Sequence, residues 1–225
     1  DSQYRFRDRR DAGRLLAARL LRLADEKPLV LALPRGGVPV AYEIAKALHA
    51  QLDLLIVRKL GAPGHSEFGI GAVVDGAHPE IVLNEEIVRQ LDVSPTYLRE
   101  ETARQLAEID RRRRLYRGGR LPPDPTGRTV IVVDDGIATG GTVRAGLRAL
   151  RKGRPKRLIL AVPVAAPDTA SRLHDECDEL ICLLTPESFH AVGAHYLNFD
   201  QTSDDEVVAL LAQADAMGGV AGTTP

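Results

Sequence analysis

Two carboxylates, Asp134 and Asp135, follow directly on the aliphatic run Val130–Val133 and lead into Gly136-Ile137-Ala138-Thr139-Gly140-Gly141-Thr142. Adjacent carboxylates at the end of a strand repel each other and call for a partner. A ribose diol would supply hydroxyl donors. A divalent cation, reached directly or through water, would supply charge. The glycines let backbone amides approach an anion that side chains would otherwise block. A helix starting at Gly141 would add its positive end, and Thr139 and Thr142 add hydroxyl donors. Such a cradle suits a monophosphate. It is not a Walker A loop, because no Gly-Lys-Ser/Thr follows, and it is not GxGxxG. A glycine turn with an Asp pair capping a helix accounts for TGGT alone, but not for the whole string VIVVDDGIATGGT.

Two further turns carry anion-binding chemistry. Pro34-Arg35-Gly36-Gly37 sets a guanidinium beside two glycine amides after an apolar run, and a helix-initiating turn with a surface Arg is the plainer account of it. Arg58-Lys59 precedes Gly61–Gly71 (GAPGHSEFGIG), which reads as a loop with the hinge composition of a lid. Within it His65, Ser66 and Glu67 are candidate polar contacts, Glu67 a candidate for proton transfer, and exposed loop positions are the competing account.

The elements that must hold these turns alternate between two periodicities. Asp8–Leu23 reads as an amphipathic helix with Asp8 as N-cap and Leu15, Leu16, Leu20 and Leu23 on one face. Leu29–Leu33 predicts a strand and Val38–Leu48 a helix. Leu54–Val57, Val130–Val133, Leu158–Val162 and Leu180–Leu184 predict further strands. Their unbroken apolarity marks strands buried on both faces, as in parallel sheets. Ala72–Val74 and Ile81–Leu83 flank the turn signal Asp75-Gly76 and predict a hairpin-like excursion. Ser94-Pro95 opens a helix running to about Tyr116. Its basic end, Arg111–Arg114, is expected to be a solvated, dipole-compensating helix terminus. Gly118–Gly127 is a connector, Gly141–Arg151 and Asp168–His174 are helices, and Thr185–Asp200 is irregular. Asp204–Ala214 predicts a last helix, and Gly218–Pro225 a disordered tail. The result is an α/β fold with a mainly parallel five-stranded sheet. In open sheets of this kind ligands bind beyond the carboxyl ends of the strands, so the three turns should meet on one rim.

The string Val130–Thr142 resembles the phosphoribosyl pyrophosphate signature of the type I phosphoribosyltransferases: an aliphatic strand, two acidic residues, two variable positions and a Thr/Gly-rich loop. Gly136 stands where that family more usually has an aliphatic residue. The resemblance covers about 29–184 and implies the family's Rossmann-like sheet flanked by helices, in one domain over about 1–215. The hairpin and long Arg-rich helix fit it less well and count as an insertion. By match, Asp134 and Asp135 hold the ribose hydroxyls and are the candidate metal contacts. Ala138, Thr139, Gly140, Gly141 and Thr142 hold the 5-phosphate. Arg35, with the Gly36 and Gly37 amides, grips pyrophosphate, as does the basic pair Arg58 and Lys59. A C-terminal hood over about 185–200 reads the acceptor, with Phe189, Tyr196 and Phe199 as stacking groups; core packing accounts for these aromatics about as well.

The implied reaction is displacement of pyrophosphate from the anomeric carbon of phosphoribosyl pyrophosphate by a nitrogen acceptor, a nucleobase-like small molecule, with Mg2+. Family members acting on 6-oxopurines usually carry an Asp at the position of Ala138, so its absence argues against them. The alternatives are a non-catalytic phosphoribosyl pyrophosphate or nucleotide sensor and an RNA-binding regulator. No GxSxG hydrolase motif is present.

The totals agree. A chain of 225 residues, 44% hydrophobic and 27% charged, is ordinary for a soluble globular protein. A net charge of −1 argues against bulk attraction to nucleic acid or anionic membrane. No segment reaches the ~18 apolar residues of a membrane span, and Asp1–Arg10 has no leader-like apolar stretch, so a cytoplasmic location is expected. The chain does not open on Met, so its start reads as trimmed or processed. Cys177 and Cys182 match no zinc or redox spacing and read as reduced core cysteines. His190 and His195 lack a third ligand for a metal. Self-association remains open at this level.

Overall fold

The computed structural model describes residues 4–218, leaving aside the side chains of residues 66–68. In chain order the elements are α1 (Arg9–Leu20), β1 (Leu29–Ala32), α2 (Gly37–Leu48), β2 (Gln51–Leu54), β3 (Val57–Ala62), β4 (His65–Val74), β5 (Glu80–Leu83), α3 (Glu85–Gln90), α4 (Pro95–Arg117), β6 (Thr129–Val133), α5 (Gly141–Lys152), β7 (Arg157–Val164), α6 (Pro167–His174), β8 (Glu179–Leu184) and α7 (Asp204–Met217). The expected tail lies almost wholly outside the described residues.

Five strands form a parallel sheet in the order β2-β1-β6-β7-β8. Period-two alternation divides the strand residues between two cores. Val30, Ala32, Ile131, Val133, Ile159 and Ala161 face a layer built by α1, α2, α4 and α7. Leu29, Leu31, Val130, Val132, Leu158 and Leu160 face α5 and α6. Strands clothed on both sides need apolar residues at every position, and β1 and β6 are buried throughout. From β1 the chain moves outward to β2, then returns to β6 and proceeds the other way through β7 and β8. The sheet therefore changes direction between β1 and β6. That places Pro34–Gly37 and Asp134–Thr142 side by side in the crevice where such sheets bind ligands.

Against the expected loop over Gly61–Gly71, β3 and β4 pair as an antiparallel hairpin, joined by β5 in a second sheet. The register slips at Leu60/Gly61 and Gly61/Ala62, as glycines permit. A side chain at Gly71 would stand 2.4 Å from the Val82 carbonyl. Here glycine marks close packing between strands. The strand expected at Leu54–Val57 lies earlier, paired with β1 from Gln51 opposite Leu29 to Leu54 opposite Ala32, and Asp53, a residue that lowers strand propensity, is accommodated there by a charged partner from another element. Leu15 points outward at 39% exposure, while Leu16, Leu20 and Leu23 are buried. Successive helical residues diverge by about 100°, so Leu15 and Leu16 cannot share a narrow face.

The basic end of α4 corrects the expectation of a wholly solvated terminus. Arg111 and Arg112 pair with Glu108 and Arg114 with Asp110 on the helix surface. Arg113 instead points inward: its Nη1 lies 2.6 Å from Asp53 Oδ1 and its Nε 3.0 Å from Asp75 Oδ2. Arg117 adds a second guanidinium, 3.5 Å from Asp53 Oδ2. This buried cluster ties α4 to β2 and to the end of β4. Removing one member leaves an uncompensated charge inside the protein. Arg113→Met should therefore lower unfolding free energy by about 3–5 kcal/mol in urea titration, whereas Arg114→Met should leave it nearly unchanged.

Candidate active site

The acidic pair sits at the end of β6 and half out of the core. Asp135 turns its own amide onto Asp134 Oδ1 at 2.8 Å. Burial, and then the neighbouring Asp135 carboxylate, push the Asp134 carboxyl well above the usual carboxylate range. The segment beyond is fixed by pairing with the end of β7: the Ile137 amide donates to the Val164 carbonyl and the Ala166 amide to the Ile137 carbonyl.

The turn after β1 presses directly on this pair. A side chain at Gly36 would lie 2.2 Å from Asp135 Oδ2, and one at Gly37 would lie 2.8 Å from the Val133 carbonyl. Only a residue without Cβ lets the two turns meet, so Pro34-Arg35-Gly36-Gly37 and the acidic pair form one site. The Pro34–Arg35 peptide is cis. Arg35 is partly exposed, with Nη1 3.7 Å from Asp204 Oδ1 at the start of α7. The Tyr116 hydroxyl donates to that same carboxylate oxygen at 2.6 Å.

The phosphate-loop residues form an open cradle. Ala138 and Thr139 are exposed, and Gly140 takes a positive φ of 79° to launch α5. Among the described residues the amides of Ala138 to Thr142 donate to no acceptor; those of Gly141 and Thr142 are free as the first N–H groups of α5, and those before them belong to the loop. Thr169 Oγ1 donates to the Ala138 carbonyl at 2.6 Å and so fixes the loop from behind. Lys59 reaches the same region from β3: with Gly141, Thr142 and Arg144 it lines a cleft of about 450 Å³. A wider cleft of about 800 Å³ brings Arg58, Lys59, His65 and Thr142 together against Tyr97 and Gln105 of α4. Arg58 donates through Nε to Gln105 at 3.0 Å, so α4 also orients the basic pair. The side chains of Ser66 and Glu67, including the candidate proton-transfer group, lie outside the described residues.

The aromatic residues of the hood pack on one another. Tyr196 is 4% exposed, its ring 5.5 Å from Phe6 and 5.0 Å from Phe199 between centroids. Its hydroxyl donates to the Asp135 carbonyl at 2.6 Å. Tyr196 is thus a wall of the site and no open stacking platform. Phe199 carries a guanidinium 4.0 Å above its ring, and Phe189 stacks on the buried His195 ring. Val192 of the hood lies where a side chain on Gly136 would be, 2.4 Å from that Cβ position. The glycine in place of an aliphatic residue is therefore matched by a valine from the hood. Cys177 and Cys182 are free thiols that burial pushes up to about 11, far from a reactive state.

The guanidinium over Phe199 belongs to Arg9, a site residue that the motif spacing does not reveal. Its Nε donates to Asp135 Oδ2 at 3.0 Å. The one sequence signal is electrostatic: a cation in the first turn of a helix opposes the helix's positive end and asks for a carboxylate elsewhere. The arm before it pairs with the hood, through Phe6 N–H to the His195 carbonyl and Leu197 N–H to the Phe6 carbonyl.

Among the described residues no helix is long and apolar enough to cross a membrane. The family model of the phosphoribosyl transferase domain matches residues 7–198. A Mycobacterium tuberculosis protein, named provisionally as a phosphoribosyl transferase, is 47% identical over 93% of this chain. The match covers 47% of that protein, so the chain spans about half the length of this relative. The bifunctional protein PyrR of Brevibacillus brevis is 33% identical over 59% of the chain and 69% of its own length. The crystal structure of TT1426 from Thermus thermophilus superposes with a TM-score of 0.81 at 45% identity, over 93% of this chain and 98% of that one. With a model match that spans both turns, the acidic pair and the hood, the chain belongs to the phosphoribosyl transferase family.

Proposed function

We propose that this chain binds phosphoribosyl pyrophosphate with Mg2+ and transfers its phosphoribosyl group to a nitrogen acceptor, releasing pyrophosphate. The observation that carries this reading is the direct contact of the two turns: Gly36 against Asp135, beside an amide cradle with no internal acceptor. Asp134 and Asp135 would accept hydrogen bonds from the ribose hydroxyls, and the Ala138–Thr142 amides would hold the 5-phosphate. Gly36 and Gly37 amides with Arg35 would hold the pyrophosphate, and Arg58 and Lys59 would supply charge from β3.

The donor set fits magnesium. Among the described residues no cluster of three or more His, Cys, Asp or Glu side chains could hold a metal unaided. Two adjacent carboxylates, one of them raised by burial and then by its neighbour, suit an ion that fills its remaining positions with water and ligand oxygens. When bound, Mg2+ would neutralise charge on the leaving pyrophosphate. The protein would hold the ribose, exclude water and stabilise charge, so the C1–O bond can break as the C1–N bond forms. The acceptor nitrogen gives up its proton to a base or to solvent. Ala138 offers no carboxylate to that acceptor, which favours nucleobase-like compounds other than 6-oxopurines.

Phosphoribosyl pyrophosphate with Mg2+ at a hundredfold excess over its dissociation constant should stabilise the fold by roughly 2.7 kcal/mol, read as a rise in Tm. Asp134→Asn combined with Asp135→Asn should abolish that rise; a rise that survives would remove the acidic pair from the site. Burial and the Asp135 carboxylate hold the Asp134 carboxyl above the ordinary carboxylate range, and its ionised form is the stronger acceptor and the form that attracts a cation, so affinity should fall as pH is lowered through that raised range. Calorimetry at a series of pH values checks this, and a flat profile would speak against Asp134. Pyrophosphate release with a panel of nucleobases should show turnover with at least one acceptor, whereas a purely binding protein would release none.

A further inference from the structure

We infer that Arg9, on the first turn of α1, is a positioning residue for Asp135, fixing one carboxylate oxygen so that the other meets the ligand. The inference rests on the reading of the acidic pair as the ribose site.

Surface arginines are mobile, and their ion pairs contribute little. Arg9 is neither free nor exposed: its side chain retains 12% of its accessible surface, and that of Asp135 retains 15%. One guanidinium makes three contacts. Nε donates to Asp135 Oδ2 at 3.0 Å, Nη1 donates to the Asp200 carbonyl, and the planar group lies 4.0 Å over Phe199. The helix itself gives no reason for this residue, since a cation in a first turn is opposed by the helix dipole, and Asp8 already caps the helix by accepting from the Asp11 amide. The compensation comes from Asp135.

Seen from Asp135, every handle but one is taken. Its amide is bonded to Asp134, its carbonyl accepts from Tyr196, and Oδ2 is held between Arg9 and the backbone of Gly36. Among the described residues no N–H or hydroxyl donor reaches Oδ1, and beside the Asp135 carboxylate, within hydrogen-bond reach, lies the Asp134 carboxyl of the same acidic pair. A side chain held in this way presents one oxygen in one orientation, which is what recognition of a diol requires. Arg9 also leaves the incoming ligand facing a site with one negative charge partly balanced. Because Phe199 and Asp200 belong to the hood, the same contact fixes the hood against the end of β6.

The test compares wild type, Arg9→Met and Arg9→Lys by calorimetry with two ligands in Mg2+: phosphoribosyl pyrophosphate and inorganic pyrophosphate. Methionine keeps an apolar stem over Phe199 but loses the fork. Arg9→Met should weaken phosphoribosyl pyrophosphate binding by about tenfold or more and pyrophosphate binding by clearly less. Arg9→Lys should recover only part of the loss, because an ammonium cannot serve both acceptors with the geometry of a guanidinium. Unchanged phosphoribosyl pyrophosphate affinity in Arg9→Met would overturn the inference. Equal losses for both ligands would overturn it too, since they would mark a general disturbance of the fold. Should Arg9→Met fail to fold, full wild-type affinity in Arg9→Lys would do the same. A wild-type protein that binds pyrophosphate but not phosphoribosyl pyrophosphate would overturn the ribose reading itself, and the role of Arg9 with it.

Discussion

Two carboxylates on consecutive residues cannot both leave a buried strand end without something to answer their charge. That repulsion organises the region around β6. Part of the answer is internal: the Asp135 amide turns back to Asp134, and Arg9 takes one oxygen of Asp135. Part is left open, because Asp134 stays raised by burial and by its neighbour. An incompletely answered charge at the switch point of a parallel sheet is a poor choice for stability and a good one for binding. The sheet order supplies the place, since neighbouring strands β1 and β6 send their chains to opposite sides. The glycines after β1 supply the room.

The hood extends the same logic. Its aromatic residues fill the space between the N-terminal arm and the acidic pair, with Tyr196 set between Phe6 and Phe199 and bonded to the Asp135 carbonyl. Val192 occupies the space that a side chain on Gly136 would need. A segment whose regular structure is limited to a short 3-10 helix over Val192–His195 is thereby fixed by packing and by pairing with the arm. The first and last parts of the family's matched region meet over the site, so segments remote in sequence from the signature help to define it.

The elements of the core were legible because each obeys a local rule. Aliphatic runs buried on both faces gave β1, β6 and β7, the partly buried edge strand β8 came from the same apolarity, and Ser94-Pro95 gave the start of α4, where Ser94 accepts from the Tyr97 amide. The acidic pair and its glycine loop were legible because their charges and missing side chains have no local use. What escaped depends on long-range contact. Glycines in β3 and β4 look like loop residues until the partner strand that needs their close approach is known. Asp53 looks unfit for a strand, and Arg113 looks like part of a solvated run, until each is seen to satisfy the other. Arg9 escaped for the same reason, its partner Asp135 lying more than half the chain away.

The cations around the site fall into two groups by the partners they hold. Arg113 and Arg117 are buried with short, multiple contacts to carboxylates, and releasing either would cost several kcal/mol. Arg35 sits 3.7 Å from an exposed carboxylate that Tyr116 already engages, a contact worth little in water. Lys59 makes no ion pair among the described residues. An anionic ligand in the crevice would therefore compete with no strong internal pair for Arg35 or Lys59, and would leave the cluster beneath α4 untouched. Arg9 stands between the groups: it is committed to Asp135 but shares a wall with the ligand space. Rigid cations buried below the site and weakly engaged ones at its rim let the framework stay fixed while the charges that face the ligand change partners.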